Sequence, residues 1–288
     1  DTTAAASNDA TKLKSFDSDG FTVGDDGSIN SNGATFASWN WKANGSGSAN
    51  TDGSINSTVS ASTTNGFSIV KYTGTGSDMT VGHGLNAVPK MIIVKALTTG
   101  SDPWWVYHAS LGNSAKLRLN GTQASQTGTD YIWNQTTPTS SVFSLDGTNN
   151  GSNANGNNFI AYCFAEKQGY SKFGSYKGNG NADGTFVYTG FKPAFVMFKK
   201  SSSTGNWFMM NNKMFPANGI NASGGDQKYL YANTTNNEQG GYGQTDILSN
   251  GFKCRGSDGD LNGSGVTYIY MAFGQSLVGT NNVPCTAR

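Results

Sequence analysis

The segment DGDLNG, Asp258 to Gly263, has the D-x-D-x-N-G form of a calcium-binding loop. Oxygen-bearing side chains at alternate positions, Asp258, Asp260 and Asn262, suit a hard cation, and the glycine permits a tight turn. Such a loop ends on a bidentate glutamate, yet the twelfth position here is Ile269. A hairpin turn rich in Asp, Asn and Gly accounts for the same letters, and both readings stand at this point. Other reactive groups are few. Two histidines, His83 and His108, could serve acid–base or metal chemistry, but no nucleophile, metal partner or acid partner is spaced with them. The three cysteines, Cys163, Cys254 and Cys285, match no metal-ligand spacing and are expected as reduced, buried thiols. Glycoside hydrolysis takes two carboxylates across the scissile bond. The only glutamates are Glu166 and Glu238, and the aspartates fall mostly in turn contexts such as DSDG and DDG. No catalytic set and no cofactor is expected. Trp104, Tyr131 and Trp133 form a candidate stacking platform for sugar rings, with burial in a core as the competing use.

What must position these residues is a repeat. The chain writes TFASWNWKA at 35–43, NFIAYCFAE at 158–166 and TYIYMAFGQ at 267–275. YTGTGSDMTVGHGLNAVPKMIIVK, from Tyr72, lies over YKGNGNADGTFVYTGFKPAFVMFK, from Tyr176, and the spacing from tyrosine to proline is the same in both, so the blocks align without a gap. Trp105 then pairs with Trp207, Phe143 with Phe252 and Phe21, and KLRLNGT with KYLYANT. A period of this size is a duplicated domain rather than a solenoid turn. The repeat also tests the chemistry, because a residue type exchanged between equivalent positions is filling space. Cys163 stands opposite Ala272 and Asn40, and Cys254 opposite Leu145 and Val23. His83 stands opposite Val187, His108 opposite Met210, and Glu166 opposite Gln275. The DGDLNG loop meets Asn149, Gly151 and Asn153.

Period-two patterning makes each nine-residue phrase a strand. Ala37, Trp39 and Trp41, then Ile160, Tyr162 and Phe164, then Ile269, Met271 and Phe273 form a uniformly apolar face; the other face varies and is expected to meet water or a looser layer. MIIV and FVMF are apolar runs of strand length behind prolines, and turns such as Asn150–Gly151 punctuate the text. The expected fold is all-β: two tandem antiparallel β-sandwich domains preceded by the last strands of a further, truncated repeat. The expected boundaries are 1–45 for the upstream remnant, 46–65 for a polar linker or loosely draped strand, 66–169 and 170–278 for the two repeats, and 279–288 for a tail. A chain that begins partway through a repeat is expected to have continued upstream.

Composition excludes several classes. Charged residues are 13% of the 288, about half the usual share, with a net charge of +1 and no basic run longer than Lys199–Lys200. That leaves no electrostatic footprint for nucleic acid or an anionic membrane. No apolar run approaches the roughly 18 residues of a membrane span, so membrane insertion is not expected.

SINSTVSASTTNGFSIVKYTGTGSDMTVGHGLNAVPKMIIVK resembles a repeat domain of unknown function found in tail and fibre-type structural proteins of marine tailed bacteriophages. SKFGSYKGNG, GFKPAFVMFKK, NGFKCRG and TYIYMAF match its second half, and PCTAR resembles the usual carboxy terminus of such proteins. The resemblance implies a non-enzymatic virion component, a tail fibre, tail tip or exposed appendage supporting host attachment. It implies other virion proteins and a host-surface glycan or protein receptor as partners. It also implies synthesis in a bacterial cytoplasm and assembly as a homo-oligomer, with a trimer as one candidate. A lectin-like carbohydrate-binding module and a capsid decoration protein are the alternatives. No catalytic or receptor-contact residue carries over.

Overall fold

The computed structural model describes residues 3–128, 131–214, 227–240 and 245–274. The tail at 279–288 and Cys285 lie outside the described residues. The described chain is nearly all β and is built of open antiparallel sheets, the sandwich-type fold that the alternation requires. A hairpin of β1 (Leu13–Phe16) and β2 (Phe21–Val23) comes first, followed by one helical turn, α1 (Gly27–Asn30). The first full unit runs β3 (Ser48–Asn50), β4 (Ser57–Ser62), β5 (Phe67–Thr73), β6 (Met79–Gly82), β7 (Pro89–Ala96) and β8 (Trp105–His108). It continues with β9 (Ala115–Arg118), β10 (Gln126–Thr127), β11 (Val142–Leu145), the single turn α2 (Asn150–Asn153) and β12 (Asn158–Ala165). The second unit has β13 (Ser171–Lys177), β14 (Phe186–Tyr188), β15 (Pro193–Lys200), β16 (Trp207–Asn211) and β17 (Lys228–Tyr231). It ends with β18 (Gln239–Gly240), β19 (Thr245–Leu248), β20 (Gly251–Cys254) and β21 (Thr267–Gly274).

Each unit is a large sheet with a small one laid on it. The large sheets are ordered β10-β9-β8-β7-β12-β5-β4-β3 and β13-β21-β15-β16-β17-β18; the small ones are β6-β11 and β14-β20-β19. Tyr72, Ile92, Val94, Phe143 and Phe159 fill the space between sheets in the first unit. Tyr176, Val196, Phe198, Phe252 and Tyr268 do so in the second. The free faces of the two large sheets then meet, Met91, Ile93 and Phe164 packing with Phe195, Met197, Ile269, Met271 and Phe273 in one cluster. A strand buried on both faces reads as a continuous apolar run, which is why MIIV and FVMF lack alternation.

The duplication holds at the level of single hydrogen bonds. The Tyr72 hydroxyl donates to the Ser152 carbonyl and the Tyr176 hydroxyl to that of Leu261, both at 2.8 Å. Tyr72 stacks on Phe159 and meets Phe143 edge-on; Tyr176 does the same with Tyr268 and Phe252. Gly74 and Gly178 pass so close to the carbonyls of Ala154 and Gly263 that an added Cβ would lie 2.3 Å from either oxygen, hence glycine at both.

Four expectations change. In the phrases at 158–166 and 267–275 the uniformly apolar face packs against the neighbouring unit and the varied face fills the unit's own core, whereas at 35–43 Phe36, Ser38 and Asn40 of the varied face are exposed. The stretch at 46–65 contributes β3 and β4 to the first sheet, with Val59 buried in the core; small polar side chains conceal a strand whose pairing is mostly backbone. Residues 35–43 belong to no strand ladder, because among the described residues no neighbour flanks them as β5 and β7 flank β12. The gapless alignment also breaks. Val81 pairs with Phe143 and Val187 with Phe252, so His83 corresponds to Thr189, two residues further on. Met91 faces His108 whereas Phe195 faces Asn211, which makes Asn211 the counterpart of His108 and Trp104 that of Trp207.

Candidate functional site

The DGDLNG segment folds as a capped turn in which Asp258, Asp260 and Asn262 each hold a protein partner. The Asp258 carboxylate accepts from the Asp260 N–H at 2.7 Å, and Asp260 pairs with Lys200 Nζ at 2.7 Å. Asn262 is fully buried: its amide donates to the carbonyls of Asn181 and Gly256, and its oxygen accepts from the Asn179 N–H at 3.0 Å. The same turn recurs. The N–H groups of Asn30, Asn153 and Asn262 close on the carbonyls of Asp26, Asn149 and Asp258, and each Asn amide ties back to a carbonyl just upstream. The letters of a calcium loop are therefore those of a helical turn with an Asx cap. Among the described residues no three His, Cys, Asp or Glu side chains cluster as metal ligands.

The three aromatics proposed as a platform do not come together. Trp133 is fully buried in the first unit's core, edge-on to Tyr107 at 5.6 Å. Trp104 lies across the sheet, half-buried and stacked on Tyr162 in the layer between units. Tyr131 is half-buried. Cys163 and Cys254 are buried, their thiols pushed by desolvation to about 12 and about 11. Glu166 pairs with Lys172 at 2.7 Å, while Glu238 lies exposed on a groove beside the second unit.

What the structure does assemble is a ring of equivalents. Trp41, Phe164 and Phe273 hold the same position in the three phrases, and they touch pairwise, with ring centroids 6.0, 5.4 and 6.0 Å apart. Trp39 and Trp41 also meet Phe195 edge-on at 5.9 and 5.7 Å. Alongside runs an open groove of about 940 Å³, lined by residues 35–41 together with Asn211, Asn212, Leu230 and Glu238. Its aromatic and amide surface is a candidate binding feature, and letter-by-letter reading missed it because Trp39 and Trp41 read as members of a paired strand. A family model described as "Domain of unknown function (DUF7483)" matches residues 1–276. The chain belongs to the DUF7483 family. No curated protein and no solved structure matches it.

In this DUF7483 chain, successive units dock by the same step. The Thr122 carbonyl accepts from Lys199 Nζ at 3.3 Å and from the Gly205 N–H at 2.9 Å, and the Ser125 N–H donates to the Ser201 carbonyl at 2.8 Å. One unit earlier, the Thr3 carbonyl accepts from Lys95 Nζ at 3.1 Å and the Ser101 N–H at 2.9 Å, and the Ala6 N–H donates to the Leu97 carbonyl at 2.8 Å. Burial and the neighbouring Lys200 charge hold the Lys199 ammonium down at about 8. The two docking steps use equivalent residues, and the three equivalent rings Trp41, Phe164 and Phe273 meet between them.

His108 seals one joint. Its Nε2 donates to the Tyr270 carbonyl across the unit boundary at 3.1 Å, and its Nδ1 accepts from the Ser110 N–H at 3.2 Å, so the ring is neutral. Burial holds its pKa down at about 4 against an ordinary 6.5. As pH falls through 6.5 the unfolded chain takes a proton that the folded chain refuses, and stability falls until about pH 4. The gap is worth roughly 3 kcal/mol. Urea titrations between pH 7 and 4 are expected to lose that amount in the wild type, over and above the slope shown by His108→Gln. No helix among the described residues is long and apolar enough to cross a membrane.

Proposed function

We propose that the chain is a non-enzymatic structural protein of a bacteriophage virion, part of a tail fibre, tail tip or other exposed appendage that supports attachment to the host surface. The observation that carries this reading is the aromatic core shared by successive units around the Trp41–Phe164–Phe273 triangle. A core continuous across units makes a stiff body that transmits load without an interdomain hinge, which is what an external appendage requires. The low charge and the Asn- and Gly-rich turns give an uncharged polar exterior, suited to contact with other virion proteins and with a neutral glycan or protein receptor. The resemblance to marine phage tail and fibre proteins points the same way. Immunogold labelling and electron cryo-microscopy of purified particles test it. Label on the tail or another appendage is the expected result, label scattered over the head favours capsid decoration, and particles free of the protein overturn the proposal. Mass photometry of the purified chain reads its homo-oligomeric state.

A further inference from the structure

The two small sheets are built alike and bordered differently. In the first unit Val81 faces Phe143 and the His83 N–H donates to the Ser141 carbonyl, so Val81 bonds to β11 while Thr80 and Gly82 turn their backbone groups outward. The chain itself covers that border. The Thr80 N–H donates to Ser54 Oγ at 2.9 Å, the Ser54 N–H to Thr80 Oγ1 at 2.8 Å and the Ser57 hydroxyl to the Gly82 carbonyl at 3.0 Å. Ile55 bridges Val81 in parallel and packs against the core. In the second unit Val187 faces Phe252, and the Cys254 and Thr189 N–H groups donate to the Thr185 and Asn250 carbonyls. The same alternation follows, and Phe186 and Tyr188 turn their N–H and C=O groups outward. Strand β14 is the last of its sheet, and among the described residues nothing pairs with this border. Phe186 is 45% exposed and Tyr188 63%. The linkers account for the difference. Residues 44–66 lead from the phrase at 35–43 to β5 and supply β3, β4 and the covering stretch between them, whereas 166–170 lead straight from β12 into β13.

We propose that the outer border of β14 docks one extended segment of a partner protein, an uncharged stretch in which small hydroxyl residues flank a single β-branched apolar side chain, as Ser54 and Ser57 flank Ile55. The first unit shows what chemistry such a border holds, because Val81 and Val187 occupy equivalent positions. In strand addition the backbone pairing supplies affinity and the alternating side chains supply selectivity. Phe186 and Tyr188 alternate with the buried Val187, so their rings lie on the outer face of the sheet, where side chains of an added strand would pack. Beside the border Asp183 is already paired with Lys253 at 2.5 Å, which leaves a neutral segment as the fitting occupant. A second copy of the chain has no such segment to lend, since its own Ser54, Ile55 and Ser57 are held on β6. The donor is a different protein. The inference rests on the duplication and stands independently of the virion role.

The probe is a synthetic peptide with the sequence of Gly53–Ser62, added in excess to the full chain, with a scrambled peptide of the same composition as control. Hydrogen exchange of the Phe186 and Tyr188 amides, read by nuclear magnetic resonance, is expected to slow by about tenfold or more with the native order only. The Thr80 and Gly82 amides should exchange as before. Tyr188→Pro deletes one outward N–H and leaves the bonds of Val187 and Thr189 to β20 in place, as edge strands allow. It should abolish the slowing at Phe186. Phe186→Ser with Tyr188→Ser spares the backbone, guards against misfolding of the proline variant, and should weaken peptide binding by about fivefold or more. No slowing, equal slowing with the scrambled peptide, or slowing at Thr80 and Gly82 instead would each overturn the proposal. So would slowing of the Phe186 and Tyr188 amides by rising protein concentration alone, which would assign the border to a second copy.

Discussion

Phe273→Ala is expected to destabilise the entire molecule by about 4 kcal/mol, and to do so in one transition. Phe273 is buried and meets Trp41, Phe164, Tyr170, Phe173 and Phe195, rings drawn from both units and from the upstream segment. Truncation removes the lateral support of every one of them, and a rigid sheet layer cannot collapse into the space. Urea unfolding followed by tryptophan fluorescence and by far-ultraviolet circular dichroism should give coincident curves, both shifted. Curves that separate, with the first unit melting where it does in the wild type, would show that the layer between units packs without coupling them. A cycle with Phe164→Ala should return a coupling energy near 1 kcal/mol, as contacting aromatic pairs do.

Asn262→Ala should cost roughly 3 kcal/mol, although it removes only a small polar side chain. The substitution removes the partner of the Asn181 and Gly256 carbonyls and of the Asn179 N–H at part-buried bonds, and empties a site where Asn262 itself is fully buried. Asn262→Asp separates this account from simple cavity formation. It keeps the volume but sets an acceptor against two carbonyl oxygens, and should cost at least as much. Millimolar calcium should leave the melting temperature of the wild type and of Asp258→Asn where it was, because the Asp258 and Asp260 oxygens are held by a backbone N–H and by Lys200. A calcium-dependent rise lost in Asp258→Asn would restore the cation loop.

Much of this architecture is written in period-two letters. Ile160, Tyr162 and Phe164 alternate so regularly that the strand and its repeats follow from the text, and Cys163 and Cys254, expected as buried thiols, lie in the two cores. Other features are physically invisible to such reading. The loops between Tyr72 and Pro89 and between Tyr176 and Pro193 have equal lengths but distribute their residues differently, so only the pairing of Val81 and Val187 exposes the shift that places His83 opposite Thr189. Both His83 and Thr189 accept the N–H two residues on, so one backbone task is met by two unlike side chains. Letters also do not tell which core an aromatic joins. Trp104 and Trp105 are adjacent and therefore point to opposite faces, one into the layer between units and the other into the first unit. The groove was hidden for a related reason, since Trp39 and Trp41 differ from Tyr162 and Phe164 only in what is available to flank them.

The two large sheets end differently. Strand β5 is sealed by β4 and β3, whereas β13 is the terminal strand of its sheet among the described residues, its edge covered only in part by the Lys167 carbonyl on the Ser171 N–H, the Glu166 carboxylate on the Phe173 N–H and the Thr185 hydroxyl on the Lys177 carbonyl. Such a border invites runaway association with identical molecules. Lys172 is held there by Glu166 and the exposed Lys177 stands at the far end, so two copies approaching border to border bring the Lys177 ammonium groups onto the facing edge. That repulsion is screened at high ionic strength. The colloidal shelf life of concentrated solutions is thereby tied to Lys177 and to the salt around it.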